Sequence, residues 1–380
     1  MIIALAMLST AAAQWSWFFV PTSGYDTDDK LGFGTRLELN QAAEGLQPYR
    51  TGIMVQAYAT TSGYHNHQIR YDRLGINDTW RLTVNLAWRI WGNDGYWGIG
   101  NGTQRAADAD RDRYRYTLAQ PSSHTTLQRP LSERLSLFVG LRAQWSRVKA
   151  APRSLLAEQQ PYGMDGGLMA QGLAGVIYDT RSPVLNPRQG GYVELSGRYG
   201  PPLSAGGGHF GGPYASLRGF ISPAERLTLG ARLMGEWLLG SIPFYELVQW
   251  GGCVPVSGFG GWQTIRGVPF GRWRAPGKVV LNTELRLHAL SHQLRGASVD
   301  WQLVPYADAG SVFGAGEAAV DPAPVLPVHY AVGAGGRVVY DEQFVGRLDV
   351  GSGPDPVVKA DGTVDEEWNL KIYLVFDHTF

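Results

Sequence analysis

The stretch Leu135–Trp145 reads LSLFVGLRAQW, and its period is two. Leu135, Leu137, Val139, Leu141, Ala143 and Trp145 share one face. Ser136, Gly140, Arg142 and Gln144 share the other, with Phe138 as the one apolar exception among them. Alternation of this kind is the signature of a β-strand whose two faces meet different surroundings. The same reading recurs in both directions along the chain. Trp80, Leu82, Val84, Leu86, Trp88 and Ile90 oppose Arg81, Thr83, Asn85 and Arg89. Leu227, Leu229, Ala231, Leu233 and Trp237 oppose Arg226, Thr228, Arg232 and Glu236. A water-soluble barrel would place its charges outside around an apolar core. Strands with several charges on one face and an unbroken apolar other face suit a wet lumen inside a lipid belt. The competing reading is a large soluble β-sandwich with one solvated face.

Composition points the same way. The 380 residues carry 33 Lys+Arg against 33 Asp+Glu, so a nucleic-acid binder with its basic excess is not expected. Charged residues make up 17%, below the roughly 25% of soluble domains, and the 50 glycines are about twice the usual share. A mean hydropathy of −0.16, without repeated long apolar runs, argues against a helical membrane bundle. The one cysteine, Cys253, excludes an internal disulfide framework and reads as an inert thiol rather than a lipidation or redox site. The pair His65 and His67 is a weak metal candidate, and no metal or other cofactor is expected. No nucleophile–base or paired-carboxylate arrangement stands out, so no enzyme is expected.

Met1–Ala13 is apolar and ends in small residues, which fits a signal peptide of residues 1–13 before a barrel of residues 14–380. Candidate strands number sixteen, from 15–20, cut short by Pro21, to 366–380. An even number suits a closed antiparallel transmembrane β-barrel, an all-β fold. Connections alternate between tight, as at Gly75 to Asp78 and Pro130 to Ser132, and long, as at Leu239 to Pro276. Tight turns belong on the periplasmic side of an outer-membrane barrel, which puts both chain ends in the periplasm. Along the last strand Trp368, Leu370, Ile372, Leu374, Phe376 and Phe380 fall on the lipid face. Phe376 and the terminal Phe380 read as an assembly signal, with His378 as a break in the apolar row.

Four stretches resemble the BamA/TamA-type outer-membrane assembly-factor superfamily, the bacterial surface-antigen barrels. They are Phe19-Val20-Pro21 to Gly32-Phe33-Gly34, Tyr96-Trp97-Gly98-Ile99-Gly100-Asn101, and Tyr178-Asp179-Thr180-Arg181 through Leu185-Asn186-Pro187 to Gly190-Gly191-Tyr192. The fourth is Ile265-Arg266-Gly267 in the sixth outer loop (239–276), where Val268 stands in place of the family's aromatic and Phe270 follows. The resemblance implies a sixteen-stranded barrel, here expected to stand alone without periplasmic POTRA domains. It also implies a loop arginine held by wall carboxylates. Alternation turns Glu284 (strand 277–289) and Asp308 (strand 297–309) inward, so Arg266, Gly267, Glu284 and Asp308 form the expected loop lock. Ordinary hydrated lumen charges are the other reading of these residues.

The implied function is insertion or translocation of proteins through a lateral seam between first and last strands. Trp17, Phe19, Pro21, Leu370, Ile372, Leu374 and Phe376 would flank that seam. Expected partners are outer-membrane lipid and lipopolysaccharide, nascent outer-membrane proteins and separate periplasmic accessory proteins. A passive pore or lipid-conducting channel and a purely structural barrel are the alternatives.

Overall fold

The computed structural model describes residues 15–43, 46–77, 79–202, 208–294, 297–314, 327–340, 344–376 and 378–380. The expected signal peptide lies outside them. Sixteen antiparallel strands close into one barrel. They are β1 (Trp15–Asp26), β2 (Lys30–Ala43), β3 (Leu46–Thr60), β4 (His65–Ile76), β5 (Trp80–Gly95), β6 (Arg115–Pro130), β7 (Leu135–Ala150) and β8 (Gly167–Asp179). The circuit continues with β9 (Gly190–Gly200), β10 (Phe210–Ala224), β11 (Leu227–Trp237), β12 (Gly277–Leu294), β13 (Ala297–Phe313), β14 (His329–Tyr340), β15 (Phe344–Val358) and β16 (Val364–Phe376).

Each strand pairs with its sequence neighbours, and β16 returns to β1. A closed ladder satisfies backbone groups that lipid cannot. Leu137, Val139, Leu141, Leu229 and Leu281 stand exposed on the outer face. Arg232, Glu284 and Asp308 are buried inside, and Arg142 reaches inward to Glu246 of the sixth loop. Phe138, the apolar residue on the inner face of β7, packs in the lumen with Leu173, Ile177 and Tyr192. Its break in the alternation is therefore a packing contact.

Two strand ends differ from the sequence expectation. β1 does not stop at Pro21 but runs on to Asp26, with Pro21 opposite Thr35 of β2. An edge strand tolerates a residue without an N–H, because one of its sides lacks a full ladder. β16 ends at Phe376 rather than Phe380, and the last three residues leave the wall.

The lumen is filled on one side only. Inner-face residues of β9 to β15, among them Glu194, Arg198, Ser216, Glu236, Asn282, Arg286, Arg337 and Asp349, are buried. Their counterparts on β2 to β5, including Arg36, Asn40, Gln56, Gln68, Asn85 and Arg89, are half-buried. The sixth loop covers the first set and leaves the second open to solvent.

Candidate functional site: the sixth loop and the seam

The sixth loop follows β11 and folds back along the wall, carrying its own core. Trp250, Phe259, Ile265, Val268 and Trp273 pack against Tyr214, Met234, Val280, Val312 and Ala331 of the barrel. Buried backbone in such a loop needs partners. Trp250 donates its indole N–H to Gly258 O at 2.7 Å, and Gly251 and Cys253 give their N–H groups to Glu236 and Glu194. Cys253 is thus tied in through its backbone at the inner end of the loop, with its carbonyl against His124.

Arg266 sits at the centre. Its Nε and Nη2 donate to the two oxygens of Asp308 at 2.8 and 2.9 Å, a bidentate fork, and its backbone N–H adds a third bond to the same carboxylate. Nη1 donates to Glu284 Oε1 at 2.7 Å and lies 3.5 Å from Asp349 Oδ2. The guanidinium plane rests 3.6 Å from the centre of the Tyr306 ring. Arg266, Glu284, Asp308 and Asp349 have side chains that are 0% exposed. These contacts are buried and directed, and arginine alone offers the planar fork they use.

Gly267 makes the approach possible. Its φ is +130°, and a Cβ there would lie 2.8 Å from the Ser352 backbone. A Cβ on Gly351 of the facing strand would come within 2.3 Å of Arg266 O. Bare backbone on both sides lets loop and wall touch. Val268 packs toward Gly353, and the Phe270 ring covers Gly258 and Gly261. The two positions therefore divide the work of packing the loop tip: one toward the wall, one within the loop.

Sequence reading missed several partners. Asp349 of β15 also pairs with Arg337 at 2.5 Å and Arg347 at 3.4 Å, and Glu284 pairs with Arg286 at 3.0 Å and Arg337 at 3.4 Å. A second knot forms where Glu246 of the loop receives Arg142 and Arg198, while Glu236 receives Arg198 and Lys278. Alternation marks each wall residue as inward. It holds no information about which inward residue a loop will reach. The Tyr96–Asn101 segment lies against the loop and the wall, with Gly100 N donating to Arg274 O at 2.8 Å and Asn101 meeting Ser311 and His329.

The seam is thin. β1 and β16 pair at Tyr25–Leu374 and Asp26–Tyr373, against twelve paired positions between β1 and β2. Just beyond, Ile372 N donates to Thr27 Oγ1 at 2.9 Å and Lys371 pairs with Asp28. Asp28 also accepts from Phe270 N at 3.3 Å, and the Tyr373 hydroxyl accepts from Gly267 N at 3.4 Å, so the paired end of the seam is tied to the sixth loop. Trp17, Phe19 and Pro21 lie on β1 beyond the paired part, among described residues that find no ladder partner on β16. Leu370 and Leu374 are exposed on the outer face of β16.

Phe380 corrects the sequence reading. It is buried in the lumen, its ring 5.9 Å from Phe220, instead of facing lipid. His378 beside it bonds Asn186 at 3.1 Å. Alternation fixes a side chain's face only while the backbone stays extended in the wall, and here it does not.

Elsewhere, His65 and His67 lie with ring centres 5.8 Å apart, His67 against Trp88. Among the described residues no group of three His, Cys, Asp or Glu is placed to hold a metal.

No curated protein sequence matches the chain. Among solved structures it is similar to BamA from Haemophilus ducreyi lacking POTRA domains 1–3, at 14% identity and a TM-score of 0.60, over 99% of this chain and 75% of that one. It is also similar to CdiB from Escherichia coli, at 12% identity and a TM-score of 0.63, over 94% of this chain and 62% of that one. CdiB from Acinetobacter baumannii aligns at 13% identity and a TM-score of 0.51, over 95% of this chain and 59% of that one. The chain thus spans about three quarters of the BamA structure and under two thirds of either CdiB. Residues 22–351 match the Omp85 superfamily domain, so the chain belongs to the Omp85 superfamily of outer-membrane β-barrels.

Proposed function

We propose that this barrel assists the insertion or translocation of proteins in the bacterial outer membrane through the seam between β1 and β16. The short-turn end and both chain ends would lie in the periplasm, and nascent outer-membrane proteins would be the clients. One observation carries the reading: among the described residues, neighbouring strands share seven or more ladder positions, whereas β1 and β16 share two. An edge strand within a bilayer presents N–H and C=O groups that lipid cannot satisfy. An incoming client strand can satisfy them by β-augmentation, which needs main-chain bonds and little side-chain specificity. The loop lock of Arg266, Gly267, Glu284 and Asp308 would hold the adjacent wall rigid while the seam opens.

The test is a reversible bolt. Tyr25→Cys with Leu374→Cys, in a Cys253→Ser background, places two thiols opposite one another across the seam. Oxidation should stop assembly of other outer-membrane barrels, and reductant should restore it. Undiminished assembly with the bolt fully formed would dismiss the seam.

The half-open lumen supports a second reading, a passive pore. Half-buried polar side chains along β2 to β5 line a path that water can reach. Large, steady single-channel currents, together with normal barrel assembly when the protein is depleted, would favour the pore over the insertase.

A further inference from the structure

Along the open side of the lumen, the carboxylates Glu38 and Asp72 are already engaged. Glu38 pairs with Arg36 at 2.7 Å. Asp72 accepts from Arg81 at 3.0 and 2.6 Å, from Thr83 at 2.8 Å and from Tyr49 at 2.9 Å. Arg70 lies 4.0 Å from that same carboxylate, and its Nε finds no hydrogen-bond partner among the described residues. Arg89 has less still. Its one hydrogen bond among the described residues runs from Nε to Asn66 Oδ1 at 3.4 Å, onto an oxygen that Gln68 already holds at 2.8 Å. Its two terminal nitrogens face the lumen without an acceptor from the described wall.

The register sets these groups around a gap. Between Arg89 and Asn85 the inner face of β5 carries only Ala87, which stands opposite Ser122 of β6 and Gln68 of β4. Arg70 of β4 stands opposite Asn85. The two arginines therefore sit on adjacent strands, one above and one below a row that includes two small side chains. Four residues of strand separate the two levels by about 13 Å, so both long side chains can lean into the space between them. Arg142 of β7, two strands beyond Arg89, is a cation as well, and Glu246 holds it.

A half-buried guanidinium without a protein acceptor is costly to keep charged and dry. Low-dielectric walls focus the field of such groups into the cleft they line and draw in ions of opposite sign. The planar fork of arginine matches two oxygens of one phosphate, which a spherical halide cannot reproduce.

We propose that the open half of the lumen holds an anion site, built on Arg89 with Arg70 below it, that takes a phosphate-type oxyanion, free or carried on a small solute. The site needs only the open lumen. It requires neither the seam nor a client protein.

The probe is inorganic phosphate, measured by equilibrium dialysis against the folded barrel in a phosphate-free detergent, with ionic strength held constant by potassium chloride. Binding should saturate, and sulfate should displace it where chloride does not. Arg89→Gln should weaken it by about tenfold or more, the loss expected for one charge-assisted contact. Arg89→Lys, which keeps the charge without the fork, should fall between the two. Arg147→Gln removes an exposed cation from the outward face of β7 and should leave binding unchanged. Each variant should keep the heat-modifiable mobility of a folded barrel. Competition by glycerol phosphate would show that the site accepts a phosphate carried on a solute, and failure to compete would restrict it to the free oxyanion. Three results would overturn the site: no saturable binding to the parent barrel, displacement by chloride as effective as by sulfate, or equal losses in Arg89→Gln and Arg147→Gln. Phosphate bound by a barrel that passes no current would retire the passive-pore reading and leave the site standing.

Discussion

Arg266 gives the sharpest case at the scale of one residue. Removing one partner from a fully buried ion pair costs about 3–5 kcal/mol, because the other charges stay buried without it. Asp308 would be left in that condition, while Glu284 keeps Arg286 and Arg337 and Asp349 keeps Arg337 and Arg347, so Arg266→Ala should weaken the loop's docking by an amount in that range, set by Asp308. The barrel ladder does not depend on it. The expected outcome is a folded barrel whose sixth loop is cut rapidly by protease, with Arg266→Lys intermediate because an ammonium cannot make the fork to Asp308. Gly267→Ala should act on the same loop by a different cause. At φ +130°, with backbone 2.8 Å from the new Cβ, the substitution forces loop and wall apart. Loop protease accessibility should rise while Arg266 is still present, and an unchanged digestion pattern would show that the wall can yield there.

At the scale of elements, strand faces and the β1–β2 turn respond to different forces. Leu141, near the middle of β7, is exposed on the outer face, whereas Arg142 beside it pairs inward with Glu246. Leu141→Arg should therefore lower unfolding stability by about 2–4 kcal/mol, the cost of an arginine facing lipid at the midplane. Reversible unfolding in lipid vesicles measures it, and a negligible change would place Leu141 outside the hydrocarbon. The turn joining β1 to β2 carries a pH response. Burial pushes the Asp29 carboxyl up to about 7, with the neighbouring Asp28 and Asp94 charges adding to the rise and Lys371 opposing it. A raised carboxyl pKa stabilises the folded turn while the group is protonated, and that contribution is lost as pH rises through about 7. The Thr27–Lys30 amides should exchange faster at pH 8 than the intrinsic rate change accounts for, and Asp29→Asn should flatten the difference.

Taken as a whole, the molecule is a barrel filled along β9 to β15 and open along β2 to β5. Water-accessible residues such as Arg36, Gln56 and Arg89 line the open side. The sixth loop occupies the other side, and its release would add that volume to the path. Single-channel conductance should rise in Arg266→Ala relative to the parent protein, with the added openings intermittent because the loop remains tethered at both ends. Conductance that is identical in the two proteins would mean the loop stays against the wall without its arginine.

The period-two pattern of LSLFVGLRAQW and its counterparts was enough to set strand number, strand faces and the inward direction of Arg232, Glu284 and Asp308. The pleat turns successive side chains to opposite faces, so that much is a local property of the chain. The identity of Arg266 as the loop residue to watch came from resemblance, and its fit to two inward carboxylates followed from the same alternation. Three things were decided only in the folded molecule. Asp349 joins the arginine from 83 positions away in sequence, Glu246 ties the loop to β7 and β9, and Phe380 leaves the lipid face for the lumen. Each depends on charge and shape meeting across long separations. A pattern of period two carries the face of a residue, and it holds no record of which distant residue will complete a buried charge.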